Sequence, residues 1–303
     1  MRHLLCTFCG LLAALTLLTA SEETTIRTDV NLVQVPVTVT GAGGHTVSGL
    51  AKDAFHLYVD DQPQPITVFQ GEDAPVTAGI VIDNSSSMGP KVKEVIAAGL
   101  AFARASNPKD QMFVVHFNSK PRLGLPEGMR FTGNVSELEK AVSAFDLGGT
   151  TALYDALVMA ESQLRWAAYS RKVLLTITDG GDNSSHASLT EALNGAVKAG
   201  IVVYAIGIFD ENNPDRNPQA LSKIAEETGG HAFFPRQVSE ITQVCLDIAR
   251  EIRSQYTLGF PGAEDGQYHR IRVTVTDAKS GPLEVHTRGG YFAVKSSNAN
   301  RQK

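Results

Sequence analysis

Asp83-Asn84-Ser85-Ser86-Ser87 follows directly on the largely apolar run Val76 to Ile82. One carboxylate and two hydroxyls thus stand at i, i+2 and i+4 where a buried strand should end. Alternate side chains of an extended chain point the same way, so Asp83, Ser85 and Ser87 can aim at one point. All three offer hard oxygen atoms, the donors that Mg²⁺ or Mn²⁺ prefers. Only one of them is charged, so a dication held there keeps much of its positive charge and still attracts an anion from outside. The pattern describes a binding device rather than a closed metal cage. Its competing reading is a solvated helix cap: Asp and Ser are good caps, and Pro90 suits a first helical position.

The elements that must carry these residues follow from periodicity. Apolar runs at Ala78–Ile82, Met112–Phe117, Val173–Thr178, Val202–Ile208 and Ala232–Phe234 read as buried strands. Helical patterns lie between and after them, near 91–105, 136–144, 153–167, 189–199, 218–228 and 239–252. Ser188-Leu189-Thr190-Glu191 has the form of a capping box. Near-continuous apolar strands separated by helices predict a doubly wound, mostly parallel α/β sheet covered on both faces. Pro121 to Thr132 is irregular and is expected to form an antiparallel edge hairpin. On either side the pattern changes to strict alternation, with Val33, Val35, Val37 and Val39 before the α/β region. After it, Ile271, Val273 and Val275 face Leu283, Val285 and Thr287 across a turn. A few strands rarely make a core alone, so the two flanks are expected to share one small β-sandwich with the α/β domain inserted between them.

Two further segments can complete the oxygen site. Gly148-Gly149-Thr150-Thr151 precedes the helix beginning near Leu153, and Asp179 follows the strand Val173–Thr178. Ligands of open parallel sheets bind in the crevice beyond the carboxyl ends of the strands. Three loops bringing oxygens to one edge signal a site more strongly than any one of them. Asp182, after a glycine pair, reads as a turn residue, and Tyr154 and Asp155 as the start of the next helix.

Asp83-x-Ser85-x-Ser87, the Thr in Gly-Gly-Thr-Thr-Ala-Leu-Tyr-Asp-Ala-Leu and Asp179 before Gly180 resemble the von Willebrand factor type A family over about residues 76–252. The resemblance implies a metal-ion-dependent adhesion site holding Mg²⁺ (or Mn²⁺) with Asp83, Ser85, Ser87, Thr151 and Asp179. Family spacing selects Thr151 over Thr150. It also implies a Rossmann-like six-stranded sheet in the order 3-2-1-4-5-6, and a last helix that shifts when the metal gains a ligand. The flanks, with Val-Gln-Val-Pro-Val-Thr-Val-Thr at 33–40 and Tyr256-Thr257-Leu258-Gly259-Phe260, resemble a secreted, largely acidobacterial branch of that family.

Bulk properties bound the partners. A net charge of −5 with no basic stripe excludes the usual nucleic-acid binder. Arg2 and His3, the apolar stretch Leu4–Leu18 and Ala20 before Ser21-Glu22-Glu23 form a signal-peptide pattern, expected to be cleaved after Ala20. No later segment is long and apolar enough to span a bilayer. The mature chain is therefore expected to be secreted or periplasmic. Cys6 and Cys9 leave with the leader, and Cys245 remains as a lone thiol on an apolar helix face. The expected layout is a leader at 1–20, a β-segment at 21–75, the α/β domain at 76–252, and a β-segment with tail at 253–303.

Enzyme signatures are missing. There is no Gly-x-Ser-x-Gly elbow, phosphate-cradling loop or His-Glu-x-x-His helix. Ser85 stands where an Asp-x-Asp phosphatase needs its second carboxylate. His116 and His231 read as core or edge histidines, while His186, in the loop after Asp179, is the one histidine that could approach a metal. The favoured reading is a non-enzymatic module whose metal captures a carboxylate of a protein or glycan partner. The alternatives are a Mg²⁺-assisted hydrolase using Asp83 or Asp179, and an envelope scaffold in which a metal ties loops together.

Overall fold

The alternation at Val33, Val35, Val37 and Val39 becomes strand β1 (Leu32–Gly41), whose four valines are at most 7% exposed. β2 (Phe55–Val59), β3 (Gln62–Gln64) and β4 (Val68–Gln70) complete the N-terminal part. The computed structural model describes residues 31–43, 45–210, 215–277 and 281–295. The expected leader lies outside them.

The α/β region begins with β5 (Thr77–Asp83), buried along its whole length. It continues through α1 (Val92–Ala105), β6 (Gln111–Phe117), β7 (Pro121–Leu123), α2 (Val135–Val142), α3 (Leu153–Leu164) and β8 (Lys172–Thr178). α4 (Leu189–Ala199), β9 (Ile201–Gly207), α5 (Pro218–Thr228), β10 (Ala232–Phe233) and α6 (Ile241–Ser254) follow. The sheet order is β10-β9-β8-β5-β6-β7, so the first strand is central and the expected order is realised. All pairings are parallel except that of β7 with β6. The expected edge hairpin is reduced to that one three-residue strand plus a single bridge from Thr132 to Met112. Pro126 and the left-handed Gly128 (φ +83°) interrupt the ladder between them. Ser188 and Glu191 form the anticipated capping box at the start of α4.

The C-terminal strands β11 (Tyr256–Pro261), β12 (Tyr268–Val275), β13 (Leu283–Thr287) and β14 (Gly290–Phe292) interleave with the N-terminal ones. One sheet runs β13-β1-β11-β4 and the other β14-β12-β2-β3. Their facing residues, including Val35, Val37, Leu57, Leu258, Phe260 and Val273, form a core distinct from that of the α/β region. Because every interior ladder joins an early strand to a late one, closing the sandwich brings the two ends of the α/β region together.

Polar contacts fasten the sandwich to that region. Glu251 Oε1 on α6 accepts from Tyr204 (3.0 Å), lies 3.0 Å from His231 Nδ1, and accepts a longer bond from Thr38 on β1 (3.4 Å). Arg171 donates to the carbonyls of Ala74 and Ile252 (2.6 and 2.7 Å). Cys245 is fully buried, and burial pushes its thiol up to about 12, so it is an inert core residue.

Candidate functional site

β5 ends at Asp83, and its neighbours β6 and β8 end beside it, so three loops leave the sheet at one edge. Backbone bonds stitch these loops together. Asn84 N–H donates to Phe117 O (2.6 Å), Gly148 N–H to Asn84 O (3.0 Å), Ala152 N–H to Asn118 O (2.8 Å) and Asn183 N–H to Thr151 O (3.0 Å). The glycines that sequence analysis placed in these loops have steric reasons. Gly149 sits at φ +74°, and a Cβ there would lie 2.4 Å from Ser119 Oγ; a Cβ on Gly181 would lie 2.2 Å from the Asp215 carbonyl.

Four of the five expected side chains meet directly. Ser85 Oγ and Ser87 Oγ are 3.2 Å apart, and Ser87 Oγ donates to Asp179 Oδ1 at 2.8 Å. Asp83 accepts from the Ser85 N–H (2.7 Å) at Oδ1 and from the Thr178 hydroxyl (2.6 Å) at Oδ2. Asp83 and Asp179 are wholly buried and Ser85 nearly so. Thr151 is buried at the same mouth, held by its N–H to Asn183 Oδ1 (2.8 Å). It lines a cavity of about 470 Å³ together with Ser85, Ser87, Gly180, Asn183, Asp210 and Asp215. Thr150 lines it too, but its hydroxyl bonds Ser119 Oγ (2.9 Å).

Burial pushes the Asp83 carboxyl up to about 6, against the hydrogen bonds from Thr178 and Ser85 that favour its ionised form. A carboxylate this deep lacks positive charge, which is the deficit a cation would fill. Among the described residues no group of three or more His, Cys, Asp or Glu side chains is arranged to hold a metal. The donor set here is instead two carboxylates and three hydroxyls. It suits a hard dication that keeps part of its water shell.

Sequence reasoning missed Lys91. Its side chain is 5% exposed, and its Nζ donates to Asp179 Oδ2 (2.6 Å) and Asp210 Oδ2 (2.8 Å). Burial disfavours the ammonium, but the two carboxylates outweigh it and raise Lys91 above its ordinary range. Lys91 closes the short 3-10 turn Ser86–Lys91 that follows Ser85, and its nearness in sequence to Ser85 and Ser87 was the available signal. Asp210 follows β9, one strand further along the same crevice, and could have been found by the same edge rule that selected Asp179.

The other candidates go elsewhere. His116 is buried between Ala141 O (2.7 Å from Nε2) and the Asn84 amide (3.0 Å from Nδ1), and burial lowers it to about 4, so it is a neutral core residue. His186 is exposed and pairs with Asp155 (3.2 Å). The Asp155 carboxylate also accepts from the backbone of His186 and Ala187, and Asp182 accepts from Ser185 and from Tyr154 N–H. These contacts brace the loop after Asp179 against the start of α3.

Comparison with known proteins bears on the family and the fold. Residues 79–245 match the family model of the von Willebrand factor type A domain. Among solved structures, the chain is similar to a von Willebrand factor type A protein from Catenulispora acidiphila, with TM-score 0.53 and 17% identity over 78% of this chain and 75% of that one. It is also similar to the vWF domain of the type V pili tip protein Mfa5 from Porphyromonas gingivalis, with TM-score 0.50 and 15% identity over 59% and 95% of the two chains. The search of curated proteins finds no match. No helix among the described residues is long and apolar enough to cross a membrane.

Proposed function

The chain belongs to the von Willebrand factor type A domain family, and we propose that it is a metal-ion-dependent binding module rather than an enzyme. In this reading Asp83, Ser85, Ser87, Thr151 and Asp179 hold Mg²⁺ or Mn²⁺, and the site captures a carboxylate of a protein or glycan partner. The supporting observation is the run of contacts from Ser85 through Ser87 to Asp179, which joins oxygens from two loops above the buried Asp83. When bound, the dication supplies a Lewis-acidic position that an external carboxylate can occupy.

The chain's own residues set that reactivity. Ser85, Ser87 and Thr151 contribute neutral oxygens, so they leave the ion's charge uncancelled. Asp83 supplies a deep anchoring charge. Lys91 neutralises part of Asp179, which further limits the negative charge the protein spends on the ion. The cavity is lined by hydroxyl, carboxylate and amide side chains, which supports this reading. Neither His186 nor His116 is turned toward the cavity, so neither supports a hydrolytic role for Asp83. Residues 1–20 serve in this reading as a cleaved leader that delivers the chain outside the cytoplasm, where it meets such partners. α6 ends at Ser254 and β11 begins at Tyr256, so a shift of α6 on ligand capture would reach the sandwich directly.

Water-proton relaxation of the Mn²⁺-loaded protein tests the capture step. Adding acetate should lower the relaxivity as a carboxylate displaces metal-bound water, and Asp83→Ala should show no such change. A relaxivity unaffected by saturating acetate would refute carboxylate capture.

A further inference from the structure

At the opposite end of the sheet lies a groove of about 260 Å³ that the metal site does not explain. It is built from the start of β1 (Asn31, Gln34), the start of β8 (Ser170, Lys172), the end of α4 (Lys198) and the segment around β14 (Arg288, Phe292). Three of its walls carry cations, and none of its lining residues is acidic. In a chain with net charge −5 this is a local inversion of sign.

Arg288 is the unusual member. It is 4% exposed, and among the described residues none of the ion pairs includes Arg288, Lys172 or Lys198. Its guanidinium donates to Gln34 O (2.6 Å) and weakly to Val197 O (3.4 Å), while its Nε is buried with no hydrogen-bond partner. Burial alone pushes Arg288 down to about 10 and depresses Lys172 as well. Lys198 Nζ lies over the Phe292 ring, 5.2 Å from its centroid, which keeps a third cation over the groove.

A purely structural account makes Arg288 a cap for the C-terminal end of α4. The charge does not balance. A helix C-terminus presents about half a negative charge, against three cations gathered in one groove. A buried charge left uncompensated is costly, and proteins pair such groups. That cost falls on the buried Arg288, with half-buried Lys172 and exposed Lys198 beside it, and an anion from outside would relieve it.

We propose that the groove formed by Arg288, Lys172 and Lys198 binds a phosphate monoester dianion. The arginine fork suits two oxygens of a tetrahedral phosphoryl group, and the two lysines serve as point charges around it. The groove is larger than a phosphoryl group, and Phe292 and Val294 give it an apolar rim, so it also has room for the moiety that carries the phosphate. Lys172 opens the strand whose far end bears Asp179, so the two sites are roughly 20 Å apart at the usual rise per strand residue. Binding here is independent of the metal.

The test is calorimetry of inorganic phosphate with the full chain at constant ionic strength, and flotation with vesicles carrying phosphatidic acid or only phosphatidylcholine. Phosphate should bind more tightly than chloride, and K172Q/K198Q, which leaves the buried Arg288 in place, should weaken it at least tenfold. Flotation on phosphatidic acid alone, lost in the same variant, supports the site and identifies a lipid headgroup as the source. Arg288→Lys, which keeps the charge and loses the fork, should weaken binding less than Arg288→Met. Absence of binding to both phosphate and acidic vesicles, or equal binding by K172Q/K198Q, overturns the proposal.

Discussion

Lys91 Nζ lies 2.6 Å from Asp179 Oδ2 and so occupies one oxygen of a carboxylate whose other oxygen accepts from Ser87. A cation of the protein's own is thus built into a site that reads as a cation site. At an effective dielectric constant of about 20, a unit charge about 5 Å from a dication opposes it by several kcal/mol before screening. Most of that is offset by screening and by the order Lys91 imposes on Asp179. We expect Lys91→Met to bind Mg²⁺ roughly tenfold more tightly, a change of about 1.4 kcal/mol. Calorimetry on the two proteins decides it, and unchanged or weaker binding would assign Lys91 a purely structural role.

Metal affinity should fall in acid. Asp83 titrates near pH 6 in the folded chain and must lose its proton to act as a ligand. Below that pH, apparent Mg²⁺ affinity should drop about tenfold per unit of pH through this group. The metal-free fold responds in the opposite sense. A carboxyl whose pKa is raised from 3.8 to about 6 on folding favours the folded state below 3.8, and that contribution is lost as pH rises to 6. Melting curves from pH 4 to pH 7, with and without Mg²⁺, should therefore diverge as pH rises. Parallel curves would contradict the assignment.

Glu161 on α3 carries a buried carboxyl far from the candidate site. Its Oε1 is buried and lacks a hydrogen-bond partner among the described residues, and its Oε2 packs so closely against Gly195 that a Cβ there would lie 2.1 Å away. Burial pushes it up to about 8. The sign is again that of a raised acid: stability is full below 4.5 and lost as pH climbs through 8. Glu161→Gln should leave stability at pH 5 nearly unchanged and raise it by about 1–2 kcal/mol at pH 9, after discounting for partial exposure. Denaturant unfolding at the two pH values would show this, and equal pH slopes in the two proteins would exclude it.

Glu251 joins the sandwich to the α/β region by accepting at one oxygen from Tyr204 and Thr38 while pairing with His231. Glu251→Ala leaves the fully buried Tyr204 hydroxyl without its acceptor. A loss of about 2–3 kcal/mol is expected in equilibrium unfolding. A loss below about 0.5 kcal/mol would mean that apolar packing alone carries the junction.

Much of this was legible because strand ends and ligand types obey local rules. Asp83, Ser85 and Ser87 announce themselves by a period of two at the end of an apolar run. Asp179 and Thr151 sit at predictable strand and helix boundaries. The alternating valines of β1 disclosed a two-faced sheet. Lys91 and Asp210 were not read, because each looks locally like a solvated helix or loop charge, and only the closing of three loops buries the lysine. The 121–132 edge hairpin is only partly formed, because Pro126 and Gly128 interrupt the ladder between β7 and the Thr132–Met112 bridge. Arg288 escaped for a similar reason. It follows a short strand in a flank, and its burial depends on α4 and β1, which lie far away in sequence.

Titrating Mg²⁺ into the wild-type chain and into Asp83→Ala by calorimetry tests the central claim most directly. One ion should bind per wild-type chain, with binding lost or weakened at least a hundredfold in the variant, while far-ultraviolet circular dichroism shows both proteins folded. Equal titrations of the two folded proteins, or no heat from either with Mg²⁺ or Mn²⁺, would contradict a metal-dependent module.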